Sequence, residues 1–295
     1  PFSNTFTHAD KIKEHVNKFG KLKEYNIFIN GSDQSVVKPY ENSYEISDVK
    51  SGYLKDEIEP LTIENLNGDV SAVGWISHHD YYGAITPAAR VGGLRVRIGN
   101  IQIGERGVFS EVFPEERFNS WTIGELYIFD KGLIPNGRRD GFEHNGHLTN
   151  LKNKLLPYPY EVAKQCRKQS SLRNVRKRIE LALNHADTIA DIIEQGSLTP
   201  TAAELKRSEA KGRLVEAESF LISAQFDDEQ LTKINENIDV LNERLKINIS
   251  SSGSSLDNLP KLERDAFNKV FDLVYAYSSN QNSAKVLIDK IIKSL

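Results

Sequence analysis

The apolar residues of this 295-residue chain change their period once, near residue 155, and that change limits what the chain can become. Before it, apolar and polar residues alternate in short runs closed by Gly, Asn and Asp, as in half-buried strands. After it, apolar residues return every three or four positions, as in helices that bury one stripe. One core face cannot serve both periods. The sequence therefore predicts an α+β domain over residues 1–155 followed by an all-α module, bundle or coiled coil, over residues 156–295.

In the first part, "YNIFING" (residues 25–31), "DVSAVGWIS" (69–77), "GGLRVRIGNIQIG" (92–104) and "TIGELYIFD" (122–130) are rich in β-branched and aromatic residues and read as strands. Upstream, "THADKIKEHVNKFGKL" spaces Ile12, Val16 and Phe19 as a helix does, with Gly20 as a stop. In "LRVRIGNIQIG", Leu94, Val96 and Ile98, then Ile101 and Ile103, share a face on either side of Gly99-Asn100. That is one bent strand or a tight hairpin, with Arg95 and Arg97 on a solvated face.

In the second part, "DEQLTKINENIDVLNERLKI" sets Leu231, Ile234, Ile238, Leu241 and Leu245 on a seam narrow enough for a coiled coil or helical hairpin. A similar seam runs through Val175, Ile179, Ala182, Ala186, Ile189 and Ile193. Gly196 reads as a C-terminal stop, and Thr199-Pro200 as the next N-cap and first helical residue. A flexible joint is expected at residues 249–255, and two amphipathic helices after it.

Composition narrows the function classes. At 39% hydrophobic and 27% charged the chain should fold, and its net charge of −3 gives no global field toward nucleic acid or anionic lipid. A single cysteine, Cys166, excludes an intrachain disulfide. With no signal peptide and no apolar run near the roughly 18 residues a span requires, a cytoplasmic protein is expected. Opening on Pro1 and lacking methionine, the chain reads as a piece of a longer protein.

Several clusters suggest chemistry. "SHHDYYG" offers His78, His79 and Asp80 as metal ligands, but neighbours on a strand point to opposite faces and no second His or Cys cluster completes a shell, so no metal is expected. His144 and His147 are three apart, but Asn-Gly between them favours a turn. Cys166 and His185 lack the strained elbow and orienting acid of a thiol nucleophile. Arg167, Lys168, Arg173, Arg176, Lys177 and Arg178 form a basic helical stretch that a nucleic-acid backbone or a protein partner could contact, although no aromatic interleaves them.

The remaining cluster is "LIPNGRRDGFEHN" (133–145), which follows a strand and places Arg138 and Arg139 beside Asp140. Arginine is suited to planar contact with phosphate because its guanidinium stays charged and its donors form a rigid fork. The alternative is a surface pair neutralised by Asp140 and Glu143.

"RFNSWTIGELYIFDKGLIPNGRRDGFEHN" (117–145), with "GGLRVRIGNIQIG" upstream and "DKIKEHVNKFGKL" leading into "YNIFING", resembles the transducer, or middle, domain of the bacterial Hsp90-like ATPases in the gyrase, Hsp90, histidine kinase and MutL superfamily. The resemblance covers roughly residues 1–155. It implies a ribosomal-protein-S5-like αβα sandwich. In Hsp90 the comparable loop carries a Leu-Pro-Leu-Asn-x-Ser-Arg-Glu motif whose arginine reaches the γ-phosphate of ATP. Asn136, Arg139 and Asp140 match its Asn, Arg and acid, while Arg138 stands in place of the serine.

The resemblance implies further that Arg139 and Asn136 face the γ-phosphate, with Arg138 as the substitute for Arg139, and complete an ATP- and Mg-binding pocket belonging to an N-terminal lobe. That lobe's catalytic Glu, Mg-binding Asn and Asp-x-Gly-x-Gly stretch do not occur in this sequence. The chain alone should then be inactive. Its helices would pair subunits into a homodimer or hold a client protein. Two rivals remain: a scaffold binding nucleic acid or protein through the basic stretch, and an enzyme centred on residues 78–82.

Overall fold

The computed structural model describes residues 1–47, 50–224, 226–246 and 255–295. The chain divides into two compact units, Pro1–Ser170 and Ser171–Leu295. The first contains a curled six-stranded mixed sheet and the second is helical.

In the first unit α1 (Ala9–Asn17) precedes β1 (Ser43–Ser47), β2 (Lys50–Glu64), β3 (Val70–His79), β4 (Gly93–Ile98), β5 (Ile101–Ile103) and β6 (Ile123–Ile128). The sheet order is β1-β2-β3-β6-β4-β5. Pairs are antiparallel except β4 with β6, which run parallel with Arg95 opposite Glu125 and Arg97 opposite Tyr127. Gly99, at φ +59°, turns β4 into β5, so the Gly-Asn pair makes a hairpin.

Alternation gives the sheet two apolar faces. Leu61, Ile63, Ala72, Ile76, Leu94, Val96 and Leu126 lie under α2 (Gly146–Leu155) and the start of α3 (Pro157–Glu194), through Leu148, Leu151, Leu155, Val162 and Cys166. On the opposite face Val73, Trp75, Ile123 and Tyr127 meet Ile12 and Val16 of α1 and the rings of Phe2, Phe6 and Tyr40. Helices thus cover both faces.

Two expectations fail here. Residues 25–31 join no strand of the sheet. Asn30 and Gly31 both sit at positive φ (50° and 72°), the geometry of a hairpin turn. The segment therefore folds back on itself through a bridge between Phe28 and Ser35, and Tyr25, Ile27, Phe28 and Ile29 stay more than half exposed. Arg97, expected on a solvated face, is 9% exposed, because that face of the sheet is covered too.

In the second unit the remainder of α3 packs on α4 (Pro200–Ser223) and α5 (Asp228–Lys246), while α6 (Lys261–Tyr277) and α7 (Gln281–Ser294) form a second cluster with Ile192 and Leu198. The two predicted seams are buried: Ala186, Ile189 and Ile193 of α3 and Leu241 and Leu245 of α5 close on Ala210 and Leu214 of α4. Ile179, Ala182 and Ile238 continue the layer with Ala217 and Leu221. Each seam is filled within the chain, by a third helix.

The punctuation between α3 and α4 forms as read. Gly196 takes φ +69°, which a Cβ would disfavour. Thr199 Oγ1 accepts from the Ala202 N–H at 3.3 Å, and Pro200 opens α4. The joint expected over residues 249–255 lies, except for its last residue, outside the described residues. No helix among the described residues is long and apolar enough to cross a membrane.

Candidate functional site

The arginine turn is built from its base outward. Where β6 ends, Asp130 accepts from the Gly132 N–H at 2.8 Å and pairs with His147 at 2.8 Å. Leu133 enters the core at 3% exposure, and a bridge joins Pro135 to Phe142, whose ring stacks on Phe109. These apolar contacts anchor both ends of the loop.

Inside the turn, the Asn136 N–H donates to the Gly141 carbonyl at 3.0 Å and the Arg139 N–H to the Asn136 carbonyl at 2.9 Å. The Asn136 amide donates to Asp140 at 2.7 Å and accepts from the Asp140 N–H at 3.2 Å. Asn136 therefore holds the loop shut, and its side chain is engaged there. Arg139 takes φ +56°, and its carbonyl accepts from Gly104 N–H at 2.7 Å. Gly104 must be glycine: at φ +58° a Cβ would lie 2.5 Å from the Asp140 carbonyl oxygen.

The two arginines differ. Arg138 pairs with Asp140 at 2.8 Å, although its side chain is 88% exposed, where such a pair is worth little. The Arg139 side chain is exposed, and its guanidinium has no hydrogen bond or ion pair among the described residues. A rigid backbone thus carries an unpaired cation into solvent.

A second charged constellation lies within the sheet. Glu125, fully buried on β6, pairs with Arg97 of β4 and with Lys38 at 2.7 Å, and accepts from the Tyr127 hydroxyl at 2.5 Å. Lys38 Nζ also donates to that hydroxyl at 2.6 Å. Burial raises the proton affinity of Glu125, but the Lys38 and Arg97 charges together outweigh it and hold the carboxyl below its ordinary range. Burial lowers Lys38 to about 8, against the opposing pull of Glu125. The sequence contains a signal for this cluster, a glutamate centred in the apolar run "TIGELYIFD" beside a strand with two arginines.

The histidine patch separates. His79 is buried, and its Nε2 lies 2.7 Å from the Trp121 carbonyl. Its Nδ1 faces two donors, the Tyr44 hydroxyl at 2.6 Å and the Tyr81 N–H at 3.0 Å. These partners fix the Nε2–H tautomer. Burial lowers its pKa to about 4. His78 instead links the Tyr81 hydroxyl at 2.6 Å to Glu59 at 3.1 Å. Burial keeps that phenol protonated, so the chain ends on no nucleophile. No group of three or more His, Cys, Asp or Glu among the described residues could hold a metal ion.

Other sequence candidates are dispersed. Asn145 and Gly146, expected as a turn, open α2: Asn145 Oδ1 accepts from the Leu148 N–H at 3.0 Å. Cys166 is buried in the first unit, while His185 in the second pairs with Glu209 at 2.9 Å. Within the basic stretch, Arg167 pairs with Glu115 at 2.9 Å and Arg178 lies over Phe220 at 3.9 Å. Lys168, Arg176 and Lys177 are exposed.

No family model, curated protein or solved structure matches this chain.

Proposed function

We propose that the chain is the S5-like transducer and C-terminal helical part of an Hsp90-like ATPase of the cytoplasm, and that Arg139 is its phosphate sensor. The reading is carried by the unpaired Arg139 guanidinium on a turn locked by Asn136, Asp140 and Gly104. A sheet covered by helices on both faces supports it as well. ATP and Mg belong to the N-terminal lobe, outside this sequence; what this chain adds is a positive charge aimed at the γ-phosphate.

Such a cation neutralises charge that develops on the transferred phosphoryl group and makes hydrolysis conditional on docking of the two domains. ATP then favours the docked state only through contacts formed on docking, this one among them. The helical unit would pass the change to a second subunit or a client. Because both coiled seams are filled inside the chain, subunit pairing would use other helix faces.

In the full-length protein, Arg139→Ala should lower ATP turnover by on the order of 10³ while nucleotide binding is retained. Arg138→Ala should have a much smaller effect, since that side chain already faces Asp140. Wild-type turnover in Arg139→Ala would refute the assignment.

A further inference from the structure

The hairpin at residues 25–37 and the β4–β5 turn enclose a cleft of about 650 Å³ on the Lys38 side of the sheet. Asn100 joins its two walls by donating to the Lys23 carbonyl at 2.5 Å. Four cations line it, Lys21, Lys23, Lys38 and Arg97. Glu125 is shared by Lys38 and Arg97. Lys21 and Lys23 are exposed and form no ion pair among the described residues. The lining therefore carries more cations than carboxylates.

The same walls are apolar where they are not cationic. Tyr25 and Ile27 line the cleft although they are 63% and 58% exposed. Cationic lining alone would suit an inorganic ion, and apolar lining alone a hydrocarbon. Together they suit a ligand with a charged head and an apolar body.

We propose that this cleft binds a small organic oxyanion, a phosphomonoester on an aromatic or acyl body, with the head at Lys21, Lys23 and Lys38 and the body against Tyr25 and Ile27. Arg97, fixed by Glu125, forms the floor. The assignment is independent of the ATPase reading, which concerns a different loop. Burial already depresses the Lys38 ammonium to about 8; an anion beside it would raise that value.

The test is calorimetric titration of the protein with phenyl phosphate, alongside inorganic phosphate and phenol. Saturable binding of phenyl phosphate, tighter than either half, is expected. Lys21→Glu with Lys23→Glu, both on exposed side chains and so harmless to folding, should weaken it by about tenfold or more. Tyr25→Ala should weaken phenyl phosphate and leave inorganic phosphate unchanged. In a nitrogen-detected NMR titration the Lys38 ammonium should deprotonate at higher pH with phenyl phosphate bound. Absence of saturable binding, or affinity unchanged by the double reversal, overturns the site. Inorganic phosphate binding as tightly as phenyl phosphate overturns the apolar half of the ligand.

Discussion

Glu125 of the sheet unit and Arg244 of the helical unit are both hubs of ion pairs, yet one is fully buried and the other lies at the surface. Glu125 meets Arg97, Lys38 and Tyr127 in a core of rings and branched chains. Arg244, 25% exposed, ties the end of α5 to Asp187, Asp191 and Glu194 of α3. The helical core beneath is built of alanine, leucine and isoleucine. Burying a charge raises the penalty of losing any partner, whereas a surface network is buffered by water. The sheet unit is thus the part whose stability depends on charge, and both its candidate sites present cations.

The largest expected effect tests that contrast directly. Glu125→Ala leaves Lys38 and Arg97 buried without their shared anion and should destabilise the sheet unit by about 3–5 kcal/mol. Arg244→Ala should cost about 1 kcal/mol or less. Urea titrations can follow the two separately, because both tryptophans, Trp75 and Trp121, lie in the sheet unit, while far-UV circular dichroism is dominated by helix. Equal losses in the two variants would break the comparison.

Acid offers a second probe, with an effect of about 3 kcal/mol. The folded-state pKa of His79 is about 4 against an ordinary 6.5. Between those values the unfolded chain binds a proton that the folded one excludes, so stability is full above pH 6.5 and falls as pH drops toward 4. Glu125, held below its ordinary value, adds a further loss once pH falls through its folded-state pKa. The helical unit's one histidine, His185, is half-buried and pairs with Glu209 at 2.9 Å. Thermal melts at pH 7 and 4.5 should show the tryptophan transition moving down much further than the helical one. A parallel shift of both would mean that acid acts on surface charge in general.

These two units were also unequally legible in the sequence. Helical seams depend on local spacing, so the positions from Val175 to Ile193 and from Leu231 to Leu245 could be read directly, as could the stop at Gly196 and the cap at Thr199. Which third helix would fill a seam depends on tertiary packing, and nothing local encodes it. In the sheet, β3, β6 and the β4–β5 hairpin carry clear alternation. The longest strand, β2, does not: "KSGYLKDEIEPLTIE" holds lysines, acids and Pro60. Proline is tolerated because β1 pairs only as far as Tyr53, leaving β2 as the sheet edge from Ile58 onward. "YNIFING" has strand composition, but its Asn-Gly pair turned the segment onto itself. The arginine turn was legible as a motif. The Lys38 cleft was not, since it joins residues 87 positions apart through Glu125.

The smallest expected effect separates the fold from the proposed chemistry at Arg139. A residue with a Cβ at φ +56° is strained by about 1 kcal/mol, and glycine relieves that strain while loosening the unfolded chain by a comparable, slightly smaller amount. Arg139→Gly should therefore leave stability unchanged or raise it by about 0.5 kcal/mol in a urea titration read by tryptophan fluorescence. The same change should abolish the contribution of the turn to turnover in the full-length protein. A destabilisation above about 1 kcal/mol would mean that the guanidinium is already held by a partner within the fold. Arg139 would then resemble Glu125, a charge retained for structure, and only Arg138, paired with Asp140, would remain on that turn to meet a phosphate.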